Sequence, residues 1–176
     1  MDWRAGALAL VLACGALAGC APELDWRELS VPEGNFAALL PCKPRREMRT
    51  FNAAAGALSM TMYACSLKQG TMAVAYTDYP TAAADAAHRR ERLGAARDAL
   101  LRNIGAGAHS EEEIAIAGLP GLQVYAEGRA GAQATLLQAR FAVDAMRLYQ
   151  IAYVGARDGA SKADIDLFLG SLKPLR

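Results

Sequence analysis

Chemistry needs side chains that titrate, ligate or attack, and this chain offers few of them at useful spacing. His88 and His109 are its two histidines, so a metal centre would have to recruit carboxylates or cysteines. The run His109-Ser110-Glu111-Glu112-Glu113 has the ligand types for zinc or a hard cation. Neighbours along a strand point to opposite faces, however, and cannot close on one ion, so the run reads as a solvated strand start and no metal is expected. His88-Arg89-Arg90-Glu91-Arg92 is the one basic run. Arg89, Arg90 and Arg92 could meet lipid phosphates or an acidic partner, although Asp85, Glu91 and Asp98 dilute them and such runs commonly mark a solvated helix face. The sequence has no Gly-x-Ser-x-Gly elbow, phosphate loop, Cys-x-x-Cys or His-Glu-x-x-His. Without a nucleophile and base at readable spacing, the expectation is no enzyme and no cofactor.

The four cysteines carry the remaining chemistry. Ala5 to Ala16 is an apolar run too short to span a bilayer, which takes roughly 20 helical residues, and it fits the apolar region of a secretory signal. It closes on Leu17-Ala18-Gly19-Cys20, followed by the polar Ala21-Pro22-Glu23. This resembles the lipobox of bacterial lipoproteins. The resemblance implies that the Cys20 thiol receives a diacylglyceryl group, that residues 1–19 are cut away, and that the new amino terminus is acylated with palmitate or a similar chain. The start Met1-Asp2-Trp3-Arg4 departs from the family in its single Arg offset by Asp2. Ala21 stands where an Asp tends to retain such proteins at the inner membrane, so the expected location is the outer membrane, lipid-anchored and facing the periplasm. Several acyl chains would hold the protein durably, since each buried methylene contributes about 0.8 kcal/mol.

Cys14 then leaves with the signal and Cys20 is lipidated, so Cys42 and Cys65 remain in an oxidising compartment where disulfides persist. A hairpin closed around Ala53-Ala54-Ala55-Gly56 sets these two opposite each other, and a Cys42–Cys65 disulfide is expected at its base. Closing such a loop contributes about 3 kcal/mol in the chain-entropy model. The net charge of +1 survives loss of the signal, which removes Arg4 together with Asp2, and gives no electrostatic footprint for nucleic acid.

These residues need elements to position them. Residues 20–35 are mixed and turn-rich and read as a lipidated tether with a short helical turn about Trp26, leaving 36–176 as a single domain. Phe36 to Leu40 is a short strand stopped by Pro41 and Pro44. Strands are predicted over Arg46–Asn52, Leu58–Ser66 and the alternating Thr71–Tyr79. Thr81 is the expected N-cap of a helix over Ala82–Asn103, with Ala86, Leu93, Ala96, Leu100 and Ile104 on one stripe and Gly105 or Gly107 as its stop. Strands follow at Ser110–Ala117, Gly121–Glu127, Gln133–Val143 and Met146–Val154. Ser161-Lys162-Ala163-Asp164 has the form of a capping box for a last helix, Lys162–Ser171. Tyrosines lie mostly on strands; with Met60, Met62 and Met72 some could line a groove between sheet and long helix, though core packing explains them more simply.

The order of elements, with Phe36, Pro41, Pro44, Tyr76-Thr77-Asp78-Tyr79-Pro80, Gly118-Leu119-Pro120-Gly121, Arg147-Leu148-Tyr149 and Asp166 to Phe168, is similar to small bacterial proteins related to the PsbP-like α/β/α sandwich. The resemblance implies an α+β fold: a mainly antiparallel sheet of seven to eight strands packed by a long helix and a C-terminal helix. It also implies no shared active site, because members of that superfamily are mostly non-enzymatic binding or assembly partners. The expected function is a binding or assembly accessory of the cell envelope, with an envelope protein as possible partner. A small-ligand carrier using a groove between sheet and helix is the alternative, and an enzyme the weaker third.

Overall fold

The computed structural model describes residues 24–53 and 56–175; the signal-like segment and Cys20 lie outside them. Ten strands and two helices are present: β1 (Arg27–Val31), β2 (Phe36–Leu40), β3 (Arg45–Ala53), β4 (Gly56–Leu67), β5 (Gly70–Asp78), α1 (Ala86–Asn103), β6 (His109–Ile116), β7 (Leu119–Ala130), β8 (Gln133–Val143), β9 (Arg147–Gly155), α2 (Lys162–Gly170) and β10 (Lys173–Pro174). Seven strands form one antiparallel sheet in the order β3-β4-β5-β9-β8-β7-β6, and the other three form a small sheet, β1-β2-β10. All eight strands read from the sequence are there. The first of them, β2, stands outside the large sheet.

Alternation along the strands divides the apolar side chains between two faces. On the first face Met72, Val74 and Tyr76 of β5 join Tyr149, Ile151 and Tyr153 of β9 under the small sheet and α2. Phe36 sits at the centre of this layer with 0 % exposure, its ring 6.1–6.3 Å from those of Tyr63, Tyr76 and Tyr149. Burying one such side chain stabilises by about 1.5–3 kcal/mol, before the geometry of the aromatic contacts is added. Ile165, Phe168 and Leu169 close the layer from α2, which starts at the expected cap: Ser161 Oγ accepts from the Asp164 N–H at 3.1 Å. On the second face α1 packs on β7 and β8, placing Leu93, Leu101 and Ile104 against Leu122, Val124, Leu137 and Phe141.

Three expectations are corrected. Residues 27–31, read as tether, form β1, which pairs with β2 from Arg27–Leu40 to Val31–Phe36. Only Leu29 and Val31 carry an apolar signal there, and strand pairing overrides the weak local preference. The turn back uses Asn35 at φ 54°, a left-handed conformation that Asn tolerates. The long helix begins at Ala86, capped by Asp85, whose carboxylate accepts from the His88 N–H at 2.9 Å. It cannot begin at Thr81, because the Thr81 carbonyl accepts from Arg92 at 2.7 Å and the Ala83 N–H donates to the Ala145 carbonyl at 2.6 Å, outside any helical ladder. Its buried residues are Leu93 and Leu101; Ala86 is exposed. The helix ends at Gly105, φ 59°, as a left-handed C-terminal glycine allows.

The third correction concerns register. Cys42 and Cys65 are bonded, with Cα atoms 5.9 Å apart. The β3–β4 ladder, however, pairs Arg45 with Ala64 and Ala53 with Gly56, so Cys65 faces position 44 rather than 42. The prolines stop β2 before the hairpin starts, and Cys42 reaches Cys65 from the turn between the two sheets. The disulfide therefore ties the small sheet to the large one.

Candidate functional site

The second face of the large sheet is where the structure leaves room. Register places Phe51 opposite Leu58, Arg49 opposite Met60, Met60 opposite Thr77, and Thr77 opposite Leu148, so these side chains share the face on which α1 lies. α1 sits over β7 and β8 and leaves the β3–β4–β5 side of that face without a helix. The result is an open groove of about 500 Å³ between α1 and the β3–β4 hairpin. Leu58, Met60, Thr77, Leu148 and Gln150 line it from the sheet; Phe51 and Ala53 from the hairpin; Ala95, Ala96, Ala99 and Leu100 from the helix. Arg49, Asn52, Arg102 and Asn103 supply its strongly polar lining, and no carboxylate is among the lining residues. Phe51 is 41 % exposed, an aromatic ring left half in water beside an apolar floor.

α1 has a second flank. Between it and β6–β7 lies a cleft of about 370 Å³ lined by Arg89, Arg90, Arg97, Glu111, Glu113 and the apolar Leu93, Ile114 and Leu122. Its lining carries both signs of charge, and Arg97 is compensated within it. Arg97 donates to Asp98 at 2.8 Å and to Glu111 at 2.6 Å. Hydrogen bonds to Asp98 and then Glu111 raise the Arg97 pKa, and the Arg97 bond holds both carboxylates below their usual range. His109 Nε2 lies 3.3 Å from the same Glu111 oxygen. These two do share a face, two residues apart along β6, but Glu111 is already committed to Arg97. Among the described residues no three His, Cys, Asp or Glu side chains are grouped as metal ligands.

The basic run is split by the structure. Arg92 donates to the carbonyls of Ala145 at 3.0 Å and Thr81 at 2.7 Å, with its guanidinium carbon 3.9 Å from the centre of the Tyr79 ring. It staples the start of α1 to the β8–β9 turn and is not available to a partner. Burial raises the Tyr79 hydroxyl pKa, with Arg92 opposing. Arg89 and Arg90 line the charged cleft, where Arg89 Nε is buried with no hydrogen-bond partner among the described residues. Arg147 makes a parallel staple, bonded to Asp78 at 2.5 Å with its guanidinium carbon 4.7 Å from the Tyr76 ring centre.

Of the residues expected to line a groove, Met60 and Tyr79 do so, whereas Met72, Tyr149 and Tyr153 are buried in the core of the opposite face. Phe51, Arg49, Ala95, Ala99 and Arg102 were not foreseen as a group. The available signal was the run of alanines on the helix face beside the buried stripe, which thins α1 where it overlooks the hairpin.

No protein-family model and no curated protein matches the chain. Among solved structures it is similar to the cyanobacterial PsbP protein CyanoP from Synechocystis sp. PCC 6803, at 13 % identity over 92 % of this chain and 98 % of that one, with a TM-score of 0.50. A protein of unknown function from Pseudomonas aeruginosa, PA94, aligns at 9 % identity over 76 % of this chain and 85 % of its own, with a TM-score of 0.37, too low to carry an argument. The first likeness shows the fold: antiparallel sheets with two helices, of PsbP-like type.

Proposed function

We propose that the protein is a lipid-anchored, periplasm-facing component of the outer membrane that works by non-covalent binding, as an accessory of another envelope component. The observation that supports this reading is the groove between α1 and the β3–β4 hairpin. It is mainly apolar, lies within the roughly 300–1,000 Å³ of ordinary ligand sites, and has cations and amides where its chemistry is polar. The anchor rests on Cys20 and its lipobox-like context. With β1 starting at Arg27, few residues separate that cysteine from the folded domain, which would hold the groove close to the membrane surface.

Two measurements test the reading. Cells fed a labelled fatty acid should label the wild-type protein at Cys20, and Cys20→Ala should abolish both that label and membrane association; an unlabelled wild-type protein refutes the anchor. A photo-reactive residue at Phe51 should trap a partner in living cells, and the same residue at Glu112, on the far edge strand, should not. Equal trapping at both positions, or none at Phe51, refutes the groove as the surface that meets another envelope protein. A small-ligand carrier is the second reading, favoured by the same groove volume.

A further inference from the structure

The charge around the groove indicates what it takes. Its lining has two arginines and no acidic residue, in a chain whose overall charge is close to neutral. Arg49 does not relieve this, because the single carboxylate of Glu47 is shared between Arg49 at 3.1 Å and Arg45 at 3.0 Å. Arg102, in the last turn of α1, makes no ion pair among the described residues. The other flank of the same helix has cations too, but there Glu111 and Asp98 neutralise Arg97. Arg89 and Arg90 on that flank make no ion pair among the described residues, but Glu111 and Glu113 line the cleft beside them, so the apolar flank is the one of the two that presents arginines with no carboxylate in its lining.

An apolar trough lined by guanidinium groups and no carboxylate suits a molecule that is itself divided, with a hydrocarbon chain and one anionic head. We propose that the groove binds a long-chain fatty acid. The chain lies on Leu58, Met60 and Leu148 under Phe51, beside the alanine face of α1, and the carboxylate is held by Arg102 and Arg49. Charge-assisted hydrogen bonds from guanidinium to carboxylate are the strong polar contacts available here, and the buried methylenes supply the apolar part. This proposal rests on the second, small-ligand reading of the groove and names its occupant.

The experiment uses the full-length protein in native membranes, with a palmitate analogue carrying a diazirine in its chain. After irradiation, peptide mapping should place the label on residues 49–60 or 95–103, clear of Cys20 and of the charged cleft. Unlabelled palmitate should compete and the corresponding fatty alcohol should not. Arg102→Gln should lower labelling about tenfold, the scale of one charge-assisted hydrogen bond. Ala99→Trp, which fills the groove, should abolish it. Ala95 is exposed, so Ala95→Trp gives the same test without disturbing packing, and an unchanged urea midpoint reports that each variant is folded. Label that survives both tryptophans, that the alcohol displaces equally, or that falls outside the groove overturns the proposal. Trapping of a protein from Phe51 without any fatty-acid label would overturn it while leaving the binding reading intact.

Discussion

The two flanks of α1 are built from the same helix and have opposite character. On the β6–β7 side arginines and glutamates line one cleft and Arg97 is paired with Glu111; on the β3–β4 side alanines face methionine, leucine and phenylalanine, and the arginines share the lining with no carboxylate. The difference comes from what each neighbouring strand can offer. β6 is an edge strand carrying Glu111, Glu112 and Glu113, a placement of charge that discourages edge-to-edge pairing and supplies a carboxylate to Arg97 of the helix. β3, the other edge, has three arginines to one glutamate, so its hairpin brings more positive charge to a helix that is already basic. A cleft that carries its own carboxylates is poorly suited to an anion, whereas an apolar groove lined by arginines and no carboxylate suits one.

Both flanks exist only while α1 keeps its position, so the largest effect should come from its C-terminal seat. A Cβ on Gly128 would stand 2.1 Å from the Ile104 carbonyl oxygen, just where the Arg129 N–H donates to that carbonyl at 2.7 Å. The obstacle is backbone and cannot swing away. Gly128→Ala should lower unfolding free energy by about 3 kcal/mol or more, read from urea titration, and should erase the contrast by opening both flanks. An unchanged midpoint would mean that the helix is seated elsewhere.

The N-terminal seat should matter less. Arg92→Ala removes two charge-assisted bonds to carbonyls and a cation–π contact, all near the surface, for an expected loss of about 1–2 kcal/mol. Arg90→Ala, two residues away and without such bonds, should fall within about 0.5 kcal/mol of the parent. If the two variants are equally stable, Arg92 is a free surface cation, as the basic run alone suggested.

Much of this architecture was legible in the residues, and the failures have specific physical causes. Apolar runs, alternation and turn residues located eight of the ten strands among the described residues, and Ser161 announced its helix because a cap is a local event. The start of α1 was misplaced because Thr81 and Asp85 are both competent caps, and the choice is made by Arg92 and Ala145, remote in sequence. The cysteine pair was foreseen but its register was not: cysteine arithmetic is insensitive to a shift of two residues, whereas the ladder is not. The groove was legible only as a possibility. Its floor comes from three strands and its wall from alanines, a residue type that is equally at home buried, exposed or lining a cavity.

The smallest predicted effect bears most directly on the contrast between the flanks. Glu111 is held below its ordinary pKa of 4.5 by its hydrogen bond to Arg97, with His109 assisting, and Asp98 is lowered by the same guanidinium. A carboxylate whose folded pKa is depressed binds its proton more readily in the unfolded chain. Its contribution is thus present at pH values above the ordinary carboxylate range and is lost as pH falls through the folded value. Glu111 is 40 % and Arg97 22 % exposed at the side chain, so solvent screening keeps the pair below about 1 kcal/mol. Glu111→Gln should therefore cost a few tenths of a kcal/mol near pH 7 and progressively less as pH falls below the ordinary carboxylate range, in urea titrations run side by side. The variant should also leave Arg97 uncompensated by β6 and make the cleft resemble the groove in charge. If it then takes up the palmitate probe as the groove does, leftover charge alone selects the ligand; if the cleft stays unlabelled, the apolar trough of Phe51, Leu58 and Met60 is the part that chooses.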